Sequence, residues 1–252
     1  MAIFNVSAGH NPDGKIACGA VGLLRESTEN RNVLRWVKYY LKKEGHTVYD
    51  CTCNDGKNAL DVLKKIVKKC NKHSNVTLDV SIHFNSGAKD QKGNKATTGV
   101  EVLVYSIDGK AYKYADRICK KVAALGYKNR GVKVRKDLYV LKNTKAPALL
   151  VECCFVDDKD DCKLYNAEKM GKAIAEGILG KTIKTTTTIK KKYTLLLTPI
   201  YASATTKTIS SRKTGIYYAW SNEIVNGRIR ITNSVKNIGK AGQVTGWMNV
   251  KQ

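Results

Sequence analysis

The chain has 252 residues, 42% hydrophobic and 26% charged, which suits one large and one small globular domain with packed cores. No run approaches the ~20 apolar residues of a membrane span, and Met-Ala-Ile-Phe-Asn at the start lacks the basic and long apolar regions of a standard export signal. The formal net charge of +24 is uneven: residues 1–180 hold 32 Lys and Arg against 20 acids, whereas residues 181–252 hold 13 against Glu223 alone. That field favours encounter with any polyanion, whether nucleic acid, anionic lipid or bacterial wall polymer, and does not choose among them. A solvated lysine-rich surface with no such partner is the plainer reading. Eight cysteines in a chain of this length without a signal peptide read as reduced thiols, mostly small buried hydrophobes, and no CxxC pair of zinc type occurs.

In chain order, a first apolar run ends at His10 and is followed by a loop with Gly9, Pro12, Gly14 and Gly19. Apolar positions Val33, Leu34, Val37, Tyr40 and Leu41 predict a helix from about Glu26 to Glu44, stopped by Gly45. His46 to Cys51 reads as a strand and Asn58 to His73 as a helix, with Leu60, Leu63, Ile66 and Val67 on one face. A strand ending at His83 follows, then a polar loop from Ser86 to Thr98. A strand over Gly99 to Tyr105 and a helix from Lys110 to Leu125 come next, with Tyr114, Ile118 and Val122 spaced for a core. Short strands near Val132 and over Leu138 to Leu141 precede the run that ends at Glu152, and one last helix spans about Lys163 to Leu179. This alternation predicts an α/β domain over residues 1–180, its mostly parallel sheet covered by helices on both faces. Residues 181–192 read as a basic, Thr-rich linker. From Tyr193 to the end, β-prone runs at Tyr193 to Leu197, Gly215 to Trp220, Ile224 to Ile231 and Val244 to Val250, with an Asn226-Gly227 turn signal, predict a small β-barrel over 193–252.

Three of the four candidate site residues close strand-like runs: His10, His83 and Glu152. In an open α/β sheet the carboxyl ends of strands are where ligands bind. His10 and His83 with Glu26, at the start of a helix, form a His/Glu/His set of the kind that holds catalytic zinc; Glu29, on the same helix face, rivals Glu26. His46 and His73 read as structural or surface residues. Glu152, after Ala-Leu-Leu-Val, is buried unless it faces a cleft, where it can serve as a general acid/base; the alternative is an ion pair with Arg130, Arg135 or Lys142. Asn85 is placed to bind substrate or to orient the His83 loop.

The segments Val-Ser-Ala-Gly-His10-Asn-Pro, Leu-Leu-Arg-Glu26, Ser-Ile-His83-Phe-Asn85-Ser and Leu-Leu-Val-Glu152-Cys-Cys-Phe-Val resemble the zinc-dependent N-acetylmuramoyl-L-alanine amidases of the type 3 class, over residues 1 to about 180. The resemblance implies that His10, Glu26 and His83 bind Zn2+ and that Glu152 is the catalytic acid/base. The chain departs from the family pattern at Asn11-Pro12-Asp13-Gly14, where a glycine-rich stretch is common, and at Cys153, Cys154 and Phe155, where a small residue and Gly-Phe are usual. Neither departure removes a ligand. An oxidised Cys153 or Cys154 is expected to disturb the site. The tail more loosely resembles the bacterial SH3-like wall-binding domains of phage endolysins and autolysins, with Tyr217, Tyr218, Trp220 and Trp247 as candidate wall-binding aromatics.

The resulting expectation is a monomeric peptidoglycan hydrolase that cuts between N-acetylmuramic acid and L-alanine. It would be made in the bacterial cytoplasm without a signal peptide and act at the cell wall, its basic tail also drawn to anionic wall polymers, with no nucleic-acid or membrane partner. A zinc peptidase cutting within the stem peptide, a non-catalytic wall-binding protein and a nucleic-acid-binding protein are the rivals.

Overall fold

The structure, a computed structural model, describes residues 1–183, 192–225, 227–239, 242 and 244–250. It divides into two compact units, Met1–Ile183 and Lys184–Gln252. Residues 184–191 of the expected linker and Asn226 of the expected turn lie outside the described residues. No helix among the described residues is long and apolar enough to cross a membrane.

The first unit is a six-stranded sheet in the order β2-β1-β3-β6-β4-β5, with β1 Ile3–Ala8, β2 Thr47–Asp50, β3 Leu78–Asn85, β4 Val100–Val104, β5 Asn129–Val134 and β6 Ala148–Phe155. Four strand pairs are parallel, but β4 runs antiparallel to β6, so the sheet is mixed rather than mostly of one direction. The reversal follows from the connection. No helix lies between β3 and β4, so residues 86–99 simply turn the chain back, whereas a parallel return needs a crossover. That loop is pinned by carboxylates: Asp157 accepts from the N–H groups of Gly87, Ala88 and Lys89, Asp158 from Thr98, Asp160 from Asn94 and Lys95, and Asp161 from Gly99.

Helices cover both faces. Helices α1 (Glu26–Lys43), α3 (Tyr112–Ala123) and α6 (Ala167–Leu179) enclose the larger core. There Val33, Val37, Ile118, Val122 and Ile174 meet Phe4, Val6, Val80, Ile82, Val102 and Val151 of the sheet. Helices α2 (Ala59–Cys70) and α4 (Tyr139–Asn143) cover the other face, where Val62, Ile66, Val140 and Leu141 meet Leu103 and Leu150. The Asn58 side chain caps α2 by accepting from the Asp61 N–H. Leu60 faces outward, 49% exposed, and Val62 takes the buried position instead.

Two expected elements differ. Leu138 to Leu141 is not a strand but the start of α4, closed by Lys142 N–H to Leu138 and Thr144 N–H to Val140; so short an apolar run carries no period that separates the two forms. The single helix expected over Lys163 to Leu179 is two, α5 (Lys159–Leu164) and α6, because Tyr165 is extended and the Asn166 side chain accepts from Lys169 N–H and starts a new helix.

The second unit is a closed four-stranded barrel in the order β10-β7-β8-β9, formed by β7 Lys192–Tyr201, β8 Ile209–Val225, β9 Arg228–Thr232 and β10 Gly246–Asn249. The expected run Ile224 to Ile231 is the hairpin itself, with Val225 opposite Arg228 and Gly227 at φ 71°. Leu195, Ile200, Ala219, Ile229, Ile231 and Met248 fill the core.

Candidate active site

The site grows out of the alternation of the central strands. Even-numbered residues of β1, β3 and β4 are apolar and face the α1/α3/α6 core. On the opposite face the strands carry Leu103 and Leu150 under α2 and α4, and then His83, Glu152 and Glu101 in place of apolar residues. His83 is the register partner of Glu152, and Glu152 is directly opposite Glu101, so the three form a row across β3, β6 and β4. His83 and Glu152 therefore sit inside their strands rather than at the ends, while His10 lies two residues beyond β1.

Glu26, the first residue of α1, reaches into this row from the side and is 4% exposed at its side chain. Its Oε1 lies 3.3 Å from His10 Nε2 and 3.0 Å from His83 Nδ1, and accepts from Phe84 N–H. Its Oε2 accepts from Ala20 N–H at 2.8 Å. Burial alone would raise this carboxyl's pKa, but the hydrogen bonds with His10 and His83 and their charges prevail and hold it well below the usual range. Burial also keeps the His83 imidazole below its ordinary pKa, against the pull of Glu26. The ligand atoms of His10, Glu26 and His83 all lie within 4.8 Å of one another, an arrangement able to hold a metal ion. Glycine is required around it. A Cβ on Gly9 would strike the His83 ring, and one on Gly19, at φ 78°, would strike Glu26. His10 itself has φ 67°, a left-handed conformation uncommon for a non-glycine residue. Its carbonyl is gripped by Arg31 Nη2 at 2.9 Å, and the Gly9 carbonyl by the buried Asn30 amide at 2.8 Å.

Glu152 is half-buried, and its Oε2 is shut off from solvent without a hydrogen-bond partner among the described residues. Burial first, then the nearby charges of Glu26 and Glu101, push its pKa up to about 8, only partly offset by Arg135. Among the described residues no ion pair joins Glu152 to Arg130, Arg135 or Lys142: Arg130 bonds to Glu101 at 2.8 Å and Arg135 to Asp137 at 2.7 Å. Glu29 accepts from Tyr165 and Asn32 and does not join the cluster. Asn85 donates to Glu101 at 2.9 Å. Glu101, held also by Arg130 and by Lys133 at 3.6 Å, is a site residue that the sequence did not single out. His46 and His73 lie elsewhere, His46 accepting from Ala2 N–H and His73 bonded to Asn5 and stacked on Tyr49. Every cysteine is free; Cys153 and Cys154 are fully buried with thiol pKa values raised well above normal by that burial, which leaves them little thiolate to oxidise.

In the barrel, Trp220 is 4% exposed and lies under Arg230, whose guanidinium is 4.6 Å from its ring and 5.1 Å from that of Trp247. Trp220 is thus buried, though not among the residues of the barrel's core, while Tyr217, Tyr218 and Trp247 are half-buried, Tyr217 packing against that core.

Residues 5–183 match the family described as N-acetylmuramoyl-L-alanine amidase. The chain belongs to this amidase family. An uncharacterized protein of Clostridium perfringens is 36% identical over 183 residues, 71% of this chain and 52% of that protein. The endolysin of Bacillus phage SPP1 is 29% identical over 175 residues, 68% of this chain and 61% of that protein. Among solved structures, the catalytic domain of the CD27L endolysin targeting Clostridia difficile superposes with a TM-score of 0.65 at 29% identity, covering 73% of this chain and 100% of that domain. The chain spans about half the length of the two Clostridium perfringens relatives it matches. The amidase region coincides with the first compact unit and contains the His83/Glu152/Glu101 row together with His10 and Glu26; residues 192–250 follow it in sequence.

Proposed function

We propose that the first unit hydrolyses the amide between N-acetylmuramic acid and L-alanine of peptidoglycan, with Zn2+ held by His10, Glu26 and His83 and with Glu152 as the general acid/base. The observation that carries this reading is a carboxyl with a raised pKa beside a cluster of two imidazoles and one carboxylate. Two neutral nitrogen donors and one anionic oxygen donor are a set that suits zinc and leaves a position open. Zinc bound there supplies Lewis acidity toward water and a carbonyl oxygen. Glu26 contributes the charge that balances the cation, and its bonds to Ala20 and Phe84 N–H fix its direction. Glu152 takes a proton from the attacking water and returns it to the alanine nitrogen as the C–N bond breaks, leaving a lactyl carboxylate and a free amine. Asn85, held by its bond to Glu101, lies beside this group and is read as a substrate-binding residue.

The barrel is read as an SH3-like wall-binding module, with Tyr217, Tyr218 and Trp247 as its contact residues and its cationic surface adding attraction to anionic wall polymers. Together the two units make a wall-lysing enzyme of endolysin or autolysin type, a reading supported by the SPP1 endolysin among its relatives. The test is clearance of purified Gram-positive walls by the full chain. Clearance should vanish on chelation and return with added zinc, and turnover that persists in chelator would overturn the assignment.

A further inference from the structure

Strands β1 and β3 lie in the middle of the sheet, covered on both faces, where parallel strands are ordinarily apolar throughout. Their residues toward the larger core obey this: Phe4, Val6 and Ala8, Leu78, Val80 and Ile82. The other face does not. Asn5, Ser7, Asp79 and Ser81 are 0%, 3%, 5% and 6% exposed, and they are register neighbours, Asn5 with Asp79 and Ser7 with Ser81. Buried polar groups cost stability unless they are paired, so four in a row call for a reason beyond packing.

The outer rung is explained by local structure. The Asn5 amide donates to Asp79 at 2.7 Å and to the Cys70 carbonyl at 3.0 Å, and its oxygen lies 2.9 Å from His73 Nδ1, which ties β1 and β3 to the end of α2. The inner rung points elsewhere. Ser81 Oγ lies 3.0 Å from His83 Nε2 and 3.5 Å from Ser7 Oγ. Residues two apart on a strand share a face, and the His83 ring lies between Ser81 on one side and Glu26, at 3.0 Å from Nδ1, on the other.

A neutral imidazole carries its single proton on one nitrogen and its lone pair on the other. For His83 to bind a metal ion through Nδ1, the nitrogen beside Glu26, the proton must stay on Nε2, in a buried place where an unpaired N–H is penalised. A hydroxyl can accept there, and Ser81 is the side chain within reach. We propose that Ser81 is a positioning residue for the metal centre: its hydroxyl accepts the Nε2 proton of His83 and thereby presents the Nδ1 lone pair to a divalent ion, with Ser7 as the hydroxyl's own partner. The inference rests on reading His10, Glu26 and His83 as a metal site. An alanine here would satisfy the packing of β3, since the side chain also borders a small cavity with Ser7 and Asp79, but would leave Nε2–H without an acceptor.

The experiment is zinc titration of the full chain against a competing chelator, for the native protein, Ser81→Ala and Ser81→Thr, with the melting temperature of each zinc-free protein and the imidazole N–H resonances of each zinc-loaded one. Ser81→Ala should raise the zinc Kd about 10- to 100-fold, the range seen when an outer partner of a ligating histidine is removed. It should also lose the protected His83 Nε2–H resonance, and Ser81→Thr should restore both. A native-like zinc Kd in Ser81→Ala, or a loss of affinity that only follows a fall in the zinc-free melting temperature, overturns the proposal. A native protein that binds no zinc overturns the metal-site reading and this inference with it.

Discussion

Glu152 stands at the meeting point of two effects of opposite sign: zinc-site charge that would draw its proton away, and burial beside two other carboxylates that keeps the proton on. Glu152→Gln preserves shape and removes proton transfer, so it should keep native zinc stoichiometry by metal analysis while turnover falls roughly 10²- to 10⁴-fold; near-native turnover would remove Glu152 from the mechanism. Glu101 offers a gentler test. Its charge opposes ionisation of Glu152, so Glu101→Gln lowers the Glu152 pKa and should shift the acid limb of the kcat/KM pH profile to lower pH; an unchanged or upward-shifted limb would show that Glu101 does not act on Glu152. The grouping of His10, Glu26 and His83 was legible in the sequence because each member lies in a short motif that resembles the amidase pattern. Glu101 was not. An acid inside Val-Glu-Val-Leu-Val reads as the outward position of a strand, and only the antiparallel pairing with β6 puts it against Glu152. Ser81 escaped for the same kind of reason, since its meaning depends on where the His83 ring turns.

At the scale of elements, the strands and long helices of the first unit were readable from period and caps, whereas direction and breaks were not. The helix-free return over residues 86–99 reverses β4, and Asn166 divides α5 from α6, both set by contacts with distant or capping groups rather than by periodicity. The polar face of β1 and β3 has a stability consequence. Asp79 is buried, one of its oxygens has no hydrogen-bond partner among the described residues, and burial raises its pKa to about 6 despite the bond from Asn5. Its folded pKa exceeds the unfolded value of about 3.9. The stability this group confers is therefore present below that value and lost as pH rises through about 6. Asp79→Asn should therefore stabilise the zinc-free protein at pH 7.5 by up to about 3 kcal/mol, from about two pKa units at 1.36 kcal/mol each, and the gain should fade by pH 4. Denaturant melts at the two pH values check this, and a variant less stable than native at pH 7.5 contradicts it.

Over the whole molecule, the site row lies on one unit while the positive charge is densest on the other, which carries about half of the +24 in well under half of the length. Every residue of the site row lies within Met1–Ile183, while residues 181–252 carry 13 Lys and Arg against one acid. A fragment ending at Ile183 should hydrolyse small muramoyl-L-alanyl peptides at the full-length rate yet be retained less on sedimented walls. Retention of the full chain should weaken as salt rises, because exposed charges are screened; equal retention of fragment and full chain would deny the barrel a binding role. The barrel itself was legible from short β-prone runs and the Asn226-Gly227 signal. Its aromatic surface was less so, because burial of Trp220 under Arg230 depends on closure of the strands. The most direct test of the central claim is mass spectrometry of the products released from purified Gram-positive peptidoglycan, with and without chelator. Stem peptides beginning at a free L-alanine amine, absent when metal is removed, are the predicted result, whereas products that keep muramic acid joined to alanine and are cut elsewhere would contradict it.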